Sequence, residues 1–149
     1  MKLHQKTVRD LSVRGRKVLV RVDFNVQLKD GLVVDDLRLR ASLPTIRHLQ
    51  EQGACVILCS HLGRPDGRIV EEARLGPVAA RLSQLLGCPV GYVRECVGPI
   101  AEDAVAGLRV GEILLLENVR FHPGEETNDP EFCKSLAGLG ELFVNDAFG

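Results

Sequence analysis

The chain has 149 residues, a formal net charge of −1 at pH 7, and 45% hydrophobic residues. That length suits one domain with a real core, and this hydrophobic content is typical of a folded globule. A nearly neutral chain lacks the basic footprint of nucleic-acid or anionic-membrane binding, so we expect neither partner, and any cationic site must be local. The longest apolar run, residues 54–59, is far below the roughly 20 residues of a membrane helix, and the polar start MKLHQKTVRD lacks a hydrophobic signal region. We therefore expect a soluble, cytoplasmic protein.

The five cysteines form an odd set without CxxC spacing. Cys55 and Cys59 lie on one predicted strand, where four residues span roughly 13 Å. A disulfide needs Cα atoms within about 7 Å. We therefore predict buried, reduced thiols at all five positions, which are Cys55, Cys59, Cys88, Cys96 and Cys133.

The first predicted elements are a strand and a hairpin. Residues 17–23 form a run rich in β-branched side chains, which favours a strand. Asp30 and Gly31 separate the short apolar segments 26–28 and 32–34, and an Asp-Gly pair in this setting is a hairpin signal.

A helix follows the hairpin and ends at about Gln52. Its apolar residues recur at steps of three and four, and Gly53 supplies a stop. Pro44 complicates this helix, because proline fits only the first turn without a kink. The pattern leaves the helix start open between Leu37 and Leu43.

The rest of the chain alternates between strand and helix patterns. Further strands are predicted at residues 54–59, 89–93, 112–116 and 142–145. Helices are predicted at residues 75–86, at 100–108, and after an N-cap at Asp129 with Phe132, Cys133, Leu136 and Leu139 on one face. This alternation predicts an α/β fold with three α/β/α layers and a mostly parallel, Rossmann-like sheet. The chain stops directly after its last strand without a covering helix, so we expect a truncated domain.

Polar or cationic clusters follow four of the predicted strands, in the segments VLVRVDFN, VILCSHLGRP, LLLENVRFHPGEETND and LFVNDAFG. Ligands of open parallel sheets bind beyond the carboxyl ends of the strands. His61, Arg64 and Arg120 lie at such ends and are suited to an anionic, phosphorylated small molecule. Gly63 lets the backbone approach a ligand closely.

Asp23 and Asn25 follow the first strand and flank Phe24, so an extended backbone would project both to one side. A carboxylate would repel an anionic ligand unless the ligand also presents a hydroxyl, from which carboxylate and amide oxygens both accept. The alternative is an Asx turn that ends the strand. Arg38, with Asp35 as a neighbour, looks on its own like part of an ordinary charged helix start.

No metal site is expected from the sequence. The acidic segment 124–129 lacks the ligand pattern of an EF-hand, so we interpret it as a solvated loop and helix cap. His61 and His122 have no Cys or His neighbours at zinc spacing. Residues 138–140 precede a strand, unlike a dinucleotide fingerprint, and GxxxxGK[ST] is absent.

Five segments together resemble the amino-terminal half of phosphoglycerate kinases. They are RVDFN, DDLRLR, SHLGRP, LENVRFHPGEETNDPEF and VNDAFG, and the match runs from about residue 17 to residue 149. The resemblance implies that the 3-phosphate of phosphoglycerate is held by His61, Arg64 and Arg120. It further implies that Asp23 and Asn25 bind near the C2 hydroxyl. Arg38 would lie beside the acceptor carboxylate and the migrating phosphoryl group, as the electrostatic catalyst.

The same resemblance implies an enzyme of glycolysis and gluconeogenesis that moves a phosphoryl group between ATP and 3-phosphoglycerate, giving 1,3-bisphosphoglycerate. Residues 1–149 would be its substrate-binding N-terminal domain, incomplete at the carboxyl end. The C-terminal domain that binds Mg-ATP or Mg-ADP would be missing, so we expect no cofactor on this chain and no activity from it alone.

Two other hypotheses remain open. The cationic clusters could serve a non-catalytic module that binds phosphorylated ligands, or they could be turn chemistry in a purely structural domain. The chain also departs from its relatives, because Gln27 stands where proline is common and a downstream arginine that helps to hold the phosphate is missing.

Overall fold

The structure is a computed structural model that describes residues 12–147. The polar start of the chain and residues 148–149 lie outside the described residues. The strands are β1 (Lys17–Arg21), β2 (Leu28–Lys29), β3 (Leu32–Val33), β4 (Cys55–Cys59), β5 (Gly91–Tyr92), β6 (Ile113–Leu115) and β7 (Leu142–Asn145). The helices are α1 (Leu37–Glu51), α2 (Gly76–Leu86), α3 (Pro99–Ala106), α4 (Pro123–Glu126) and α5 (Pro130–Ala137), with 3-10 turns at Glu71–Ala73 and Val119–Phe121. In this part of the chain, no helix has the length and apolar character needed to cross a bilayer.

Five strands form one parallel sheet in the spatial order β5-β6-β4-β1-β7. β1 pairs with β4 on one side and with β7 on the other, so that Val18 lies opposite both Val56 and Leu142. The apolar run predicted as a buried strand is β4, which is buried along its whole length. The predicted parallel α/β fold is confirmed, although β5 covers only two of the five residues predicted for it.

Alternate residues of each strand face opposite sides of the sheet, and two apolar cores result. Val20 and Leu58 pack with α1 and α2 on one face. Leu19 and Ile57 pack with α3 and α5 on the other face. Helices on both faces give the three-layer architecture that the alternating pattern predicted.

The predicted hairpin is formed by β2 and β3, which pair antiparallel. Asp30 and Gly31 have φ angles of 51° and 73°. Positive φ at both central residues is the geometry of a type I′ turn, in which glycine carries no steric penalty. The hairpin leads into α1, whose second residue is Arg38.

Helix α1 begins at Leu37, the earlier of the two limits, and it accommodates Pro44 in its interior. Pro44 is exposed, so its ring faces solvent rather than the core. The inward face of α1 keeps the predicted spacing and consists of Leu39, Leu43, Ile46 and Leu49.

The prediction of five buried thiols is wrong for one cysteine. Cys55, Cys59 and Cys96 are buried and Cys88 is half-buried, but Cys133 is exposed. Successive residues on a helix lie about 100° apart. Because Phe132 faces the core from α5, the adjacent Cys133 is turned towards solvent.

A crevice is expected between the carboxyl ends of β4 and β6. The chain leaves β4 towards α2, which packs on the first face, and it leaves β6 towards α5, which packs on the second face. Neighbouring strands whose connections diverge in this way define a topological switch point, where ligands of open α/β sheets bind.

Candidate functional site

The segments that follow β1, β4 and β6 meet at the carboxyl edge of the sheet, because parallel strands all end on the same side. Four of the predicted site residues contact one another there. Asn25 Oδ1 accepts a hydrogen bond from the Gly63 amide at 2.9 Å, which joins the segment after β1 to the segment after β4. Gly63 has φ of 68°, a conformation that favours glycine.

Arg38 lies against the segment after β1. Its Nη1 atom donates to the carbonyl oxygen of Asn25 at 2.6 Å and lies 3.3 Å from Asp23 Oδ1. Asp23 Oδ1 also accepts from the Asn25 amide at 3.1 Å, which is the Asx turn that the sequence left as an alternative. The Asp23 carboxylate therefore forms the turn after β1 and also orients Arg38. The Arg38 side chain remains about half exposed.

Arg64 and Arg120 line one open cleft of about 580 Å³ beyond β4 and β6. The other lining residues are Asp66, Glu125 and Glu126. Among residues 12–147, the Arg64 guanidinium has no hydrogen-bond or ion-pair partner. The Arg64 guanidinium is therefore exposed in a cleft that Arg120 also lines. Its N–H groups remain available for bidentate hydrogen bonds to an anion.

Arg21 lies beside this cleft, in contact with its lining residue Glu125, and the sequence analysis did not select it. It closes β1, and its Nη2 atom donates to Glu125 Oε1 at 3.1 Å. Arg120 Nε donates to the other oxygen, Glu125 Oε2, at 3.2 Å. One carboxylate thus holds two arginines side by side. A cation at the end of an otherwise apolar strand was the signal that identified Arg120, and it applies equally to Arg21.

The interpretation of the acidic segment as a solvated loop is wrong at Glu125. The Glu125 side chain is only 11% exposed, because it lies between Arg21 and Arg120. Asp129 does cap α5, since its side chain accepts from the Phe132 amide.

His61 lies in the field of these charges. Burial lowers the pKa of His61, and the positive charges of Arg120 and Arg21 lower it further. Glu125 and Asp23 oppose this shift in part. The ring therefore favours the neutral form in the ligand-free protein, and an arriving anion would favour protonation.

Asn118 holds the cationic segments in place from below. Its Oδ1 atom accepts from the amides of Leu62 at 3.3 Å and Arg120 at 3.0 Å. Its Nδ2 group donates to the carbonyls of Leu62 at 2.7 Å and Ala73 at 3.0 Å. Because Asn118 is fully buried, these four bonds fix both sides of the crevice relative to each other.

The neighbouring Glu117 is a buried carboxylate with a complete set of partners. It accepts from Arg74 at 2.9 Å, from the amides of Leu75 and Asn118 at 3.0 Å each, and from the Tyr92 hydroxyl. Burial and the Glu117 carboxylate raise the pKa of Tyr92. These partners explain Glu117 as a structural group beneath the site.

His122 has neighbours that its sequence spacing did not reveal. The ligand atoms of Glu95, Cys96 and His122 lie within 4.8 Å of one another. His122 Nε2 and Glu95 Oε1 are 2.6 Å apart, and the Cys96 amide donates to the same oxygen. Burial raises the pKa of the Cys96 thiol. These contacts account for the group as a hydrogen-bonded cluster, formed by two loops that are distant in sequence.

A larger open cleft of about 650 Å³ lies between the hairpin and α2. Its charged members Asp36 and Arg81 pair with each other at 2.6 Å. Hydrogen bonds from Arg40 and Arg81 lower the pKa of Asp36. Because these charges are mutually satisfied and lie away from the carboxyl ends of β4 and β6, we do not select this cleft as the site.

Two carboxylates at the carboxyl edge are already paired with arginines. Asp23 is paired with Arg38, and Glu125 with Arg21 and Arg120. Carboxylates held in this way are not available as the oxygen ligands that Mg²⁺ requires.

The fold and this edge define a class of α/β proteins that carry an arginine-containing cleft at the switch point of a parallel sheet. The family model described as phosphoglycerate kinase matches residues 8–149. The chain belongs to the phosphoglycerate kinase family.

Similar proteins agree with this assignment. The curated phosphoglycerate kinase of Chloroherpeton thalassium is 56% identical over 147 residues, which are 99% of this chain and 37% of that protein. The solved phosphoglycerate kinase of Pyrococcus horikoshii OT3 is 35% identical with a TM-score of 0.81, over 93% of this chain and 36% of that one. The structure of phosphoglycerate kinase from Coxiella burnetii is 37% identical with a TM-score of 0.81, over 93% of this chain and 34% of that one. The chain thus spans little more than a third of these relatives.

Proposed function

We propose that this chain is the substrate-binding part of a phosphoglycerate kinase and that its carboxyl edge binds 3-phosphoglycerate. The observation that supports this most directly is the cleft at the switch point, which Arg120 also lines and where Arg64 has no partner among residues 12–147. A phosphate carries close to two negative charges at neutral pH, and paired guanidinium groups match its oxygens. His61 contributes a further donor when it takes up a proton from solvent in the field of the bound anion.

The second cluster suits the other end of the substrate. Asp23 and Asn25 offer oxygens that accept from the C2 hydroxyl, and Arg38 remains about half exposed beside them. The substrate carboxylate is already ionised and attacks the phosphoryl group directly, so the reaction needs no general base. It needs charge compensation in the transition state, which is the role that we assign to Arg38.

The nucleotide belongs to the part of the enzyme beyond this chain. Phosphoglycerate kinases use Mg-ATP, and this chain spans only about a third of the length of its relatives. We therefore propose that residues 1–149 form a substrate domain without kinase activity of its own. Measuring ATP consumption by the purified chain in the presence of 3-phosphoglycerate tests this directly, and sustained turnover would contradict it.

Calorimetric titration with 3-phosphoglycerate tests the substrate site. The Arg64→Ala variant should bind at least about tenfold more weakly, because a charge-assisted pair is lost from an exposed side chain whose removal leaves the core intact. Arg68→Ala is the matched control: it removes the same charge from an exposed position four residues away and should change affinity by less than about twofold. Equal losses in both variants would show a non-specific electrostatic effect instead of a site.

A non-catalytic module that binds phosphorylated ligands remains the second candidate, since arginines in a cleft do not by themselves require phosphoryl transfer. Joining this chain to the remaining two thirds found in its relatives discriminates between the two. Transfer from ATP that is lost on Arg38→Ala, with 3-phosphoglycerate binding largely retained, supports the kinase. Binding without transfer supports the module.

A further inference from the structure

Glu125 is the most buried of the three carboxylates in the arginine-containing cleft, and its two oxygens accept from two different arginines. Oε1 accepts from Arg21 Nη2 at 3.1 Å, and Oε2 accepts from Arg120 Nε at 3.2 Å. The Arg21 and Arg120 side chains are each 28% exposed, while that of Glu125 is 11% exposed. A carboxylate in an anion site requires an explanation, because it repels the ligand that the site attracts.

The geometry of the Arg120 contact supplies that explanation. Glu125 engages the Nε atom of Arg120, at the base of the guanidinium fork. Within residues 12–147, the two Nη groups at the tip of the fork have no hydrogen-bond partner. A phosphate is gripped by such paired N–H groups. Of the Arg120 donors, Glu125 therefore engages only the Nε–H. The Nη groups, which a phosphate would bind, stay available.

The same carboxylate also opposes the repulsion between Arg21 and Arg120. Two guanidinium groups at one sheet edge repel each other and would separate in the ligand-free protein, and a negative charge between them removes that tendency. The bridge joins the end of β1 to the turn after β6, which come from opposite sides of β4 in the sheet.

We propose that Glu125 is a positioning residue, which aligns Arg21 and Arg120 for the phosphate of the substrate without touching the substrate itself. This inference rests on the proposed function, because it assigns the phosphate to that cleft. It deepens that function by explaining how the cleft keeps its arginines in place before the ligand arrives.

The test compares Glu125→Gln with Glu126→Gln in a titration with 3-phosphoglycerate. Glutamine at 125 keeps one acceptor but turns an NH₂ donor towards the second arginine, so one arginine is released. We expect affinity to fall about tenfold, as for other losses of charge-assisted hydrogen bonds. Glu126 lies 3.7 Å from the same Nε and is 47% exposed, so its substitution removes an equal charge without breaking the bridge. We expect that control to change affinity by less than about threefold, in the direction of tighter binding.

A ligand-free measurement keeps the result independent of the substrate assignment. The Arg120 Nε–Hε signal, assigned in a ¹⁵N NMR spectrum with an Arg120→Lys variant, should exchange slowly with water in the wild type and in Glu126→Gln. It should exchange rapidly in Glu125→Gln. If Glu125→Gln fails to fold, the Nε–Hε exchange rate of the wild type still tests the bridge. A rate equal to that of free arginine would exclude it.

The outcomes separate the two hypotheses. Slow Nε–Hε exchange together with the loss of affinity in Glu125→Gln supports the positioning role. Unchanged exchange in Glu125→Gln, or binding as tight as in Glu126→Gln, overturns that role. If the wild type does not bind 3-phosphoglycerate, the proposed function fails, and with it the assignment of the arginines to that phosphate.

Discussion

At the scale of single residues, the buried polar groups give this edge its shape. Asn118 uses both of its N–H donors and accepts twice through its carbonyl oxygen, all on backbone groups. Burying a polar atom without a hydrogen-bond partner destabilises the folded state. Asn118 bonds to four backbone groups at once and therefore restricts the backbone strongly. The loop with Arg64 and the turn with Arg120 are therefore rigid neighbours before any ligand binds.

We predict that His61 makes the proposed binding of 3-phosphoglycerate depend on pH. Its pKa lies below the usual value in the ligand-free protein, and a phosphate dianion would raise it, so binding takes up a proton between the two pKa values. Affinity for the dianion should fall as pH rises through the pKa of the complex. Calorimetry at about pH 6.5 in two buffers of different ionisation enthalpy measures this uptake. His61→Gln should remove the contribution of the ring, and identical proton uptake in this variant would contradict the prediction.

At the scale of secondary-structure elements, α1 brings Arg38 to the edge. The Asp35 carboxylate accepts from the Leu37 amide at 2.9 Å and so forms an Asx turn that leads into α1. Asp36 instead pairs with Arg40 and Arg81, which ties α1 to α2. The start of α1 is thus fixed by two carboxylates with different partners, and Arg38 follows directly.

Pro44 weakens α1 from within, because it has no N–H to donate to the carbonyl four residues earlier. Pro44→Ala should raise the free energy of unfolding by about 1–2 kcal/mol, measured by urea denaturation, after allowance for the greater freedom of the unfolded chain. Pro130→Ala is the control, since Pro130 is the first residue of α5, where the missing N–H has no helical partner in any case. A gain in Pro130→Ala equal to that in Pro44→Ala would show that the lost helical bond is not the cause.

At the scale of the whole molecule, the tertiary fold determines where the charged side chains and the cysteine thiols lie. The chain is nearly neutral overall, yet Arg64 and Arg120 line one cleft, and Arg21 contacts the Glu125 side chain of the same cleft. This concentration follows from the parallel sheet, which brings the ends of distant strands together. Among the thiols, Cys59 and Cys96 lie within one of the two cores, whereas Cys133 is exposed.

The burial of the cysteines predicts their reactivity. In the folded chain, a thiol reagent should modify Cys133 rapidly and Cys88 more slowly. Cys55, Cys59 and Cys96 should react only on unfolding, because they are buried, and burial raises the pKa of Cys59 to about 12. Spectrophotometric thiol counting measures this, and Cys133→Ser should abolish the rapid phase. Three or more rapidly reacting thiols in the native state would contradict the fold.

The sequence alone determined the order and type of the elements, because periodicity, Gly stops and the Asp30-Gly31 turn act over a few residues. It also identified the strand ends and so His61, Arg64, Arg120, Asp23 and Asn25. It misjudged Cys133 and Glu125, since neighbours on a helix diverge by about 100° and a buried acid is recognised only by its partners.

The tertiary structure decided what these residues contact. The Arg21–Glu125 pair joins positions 104 residues apart, and Asn118 bonds to Leu62 across 56 residues. No local pattern encodes such pairings, because they depend on the spatial order of strands that the chain visits out of sequence. The sequence therefore specified which side chains are available at the edge, and the packing of the sheet specified which of them remain free to bind an anion.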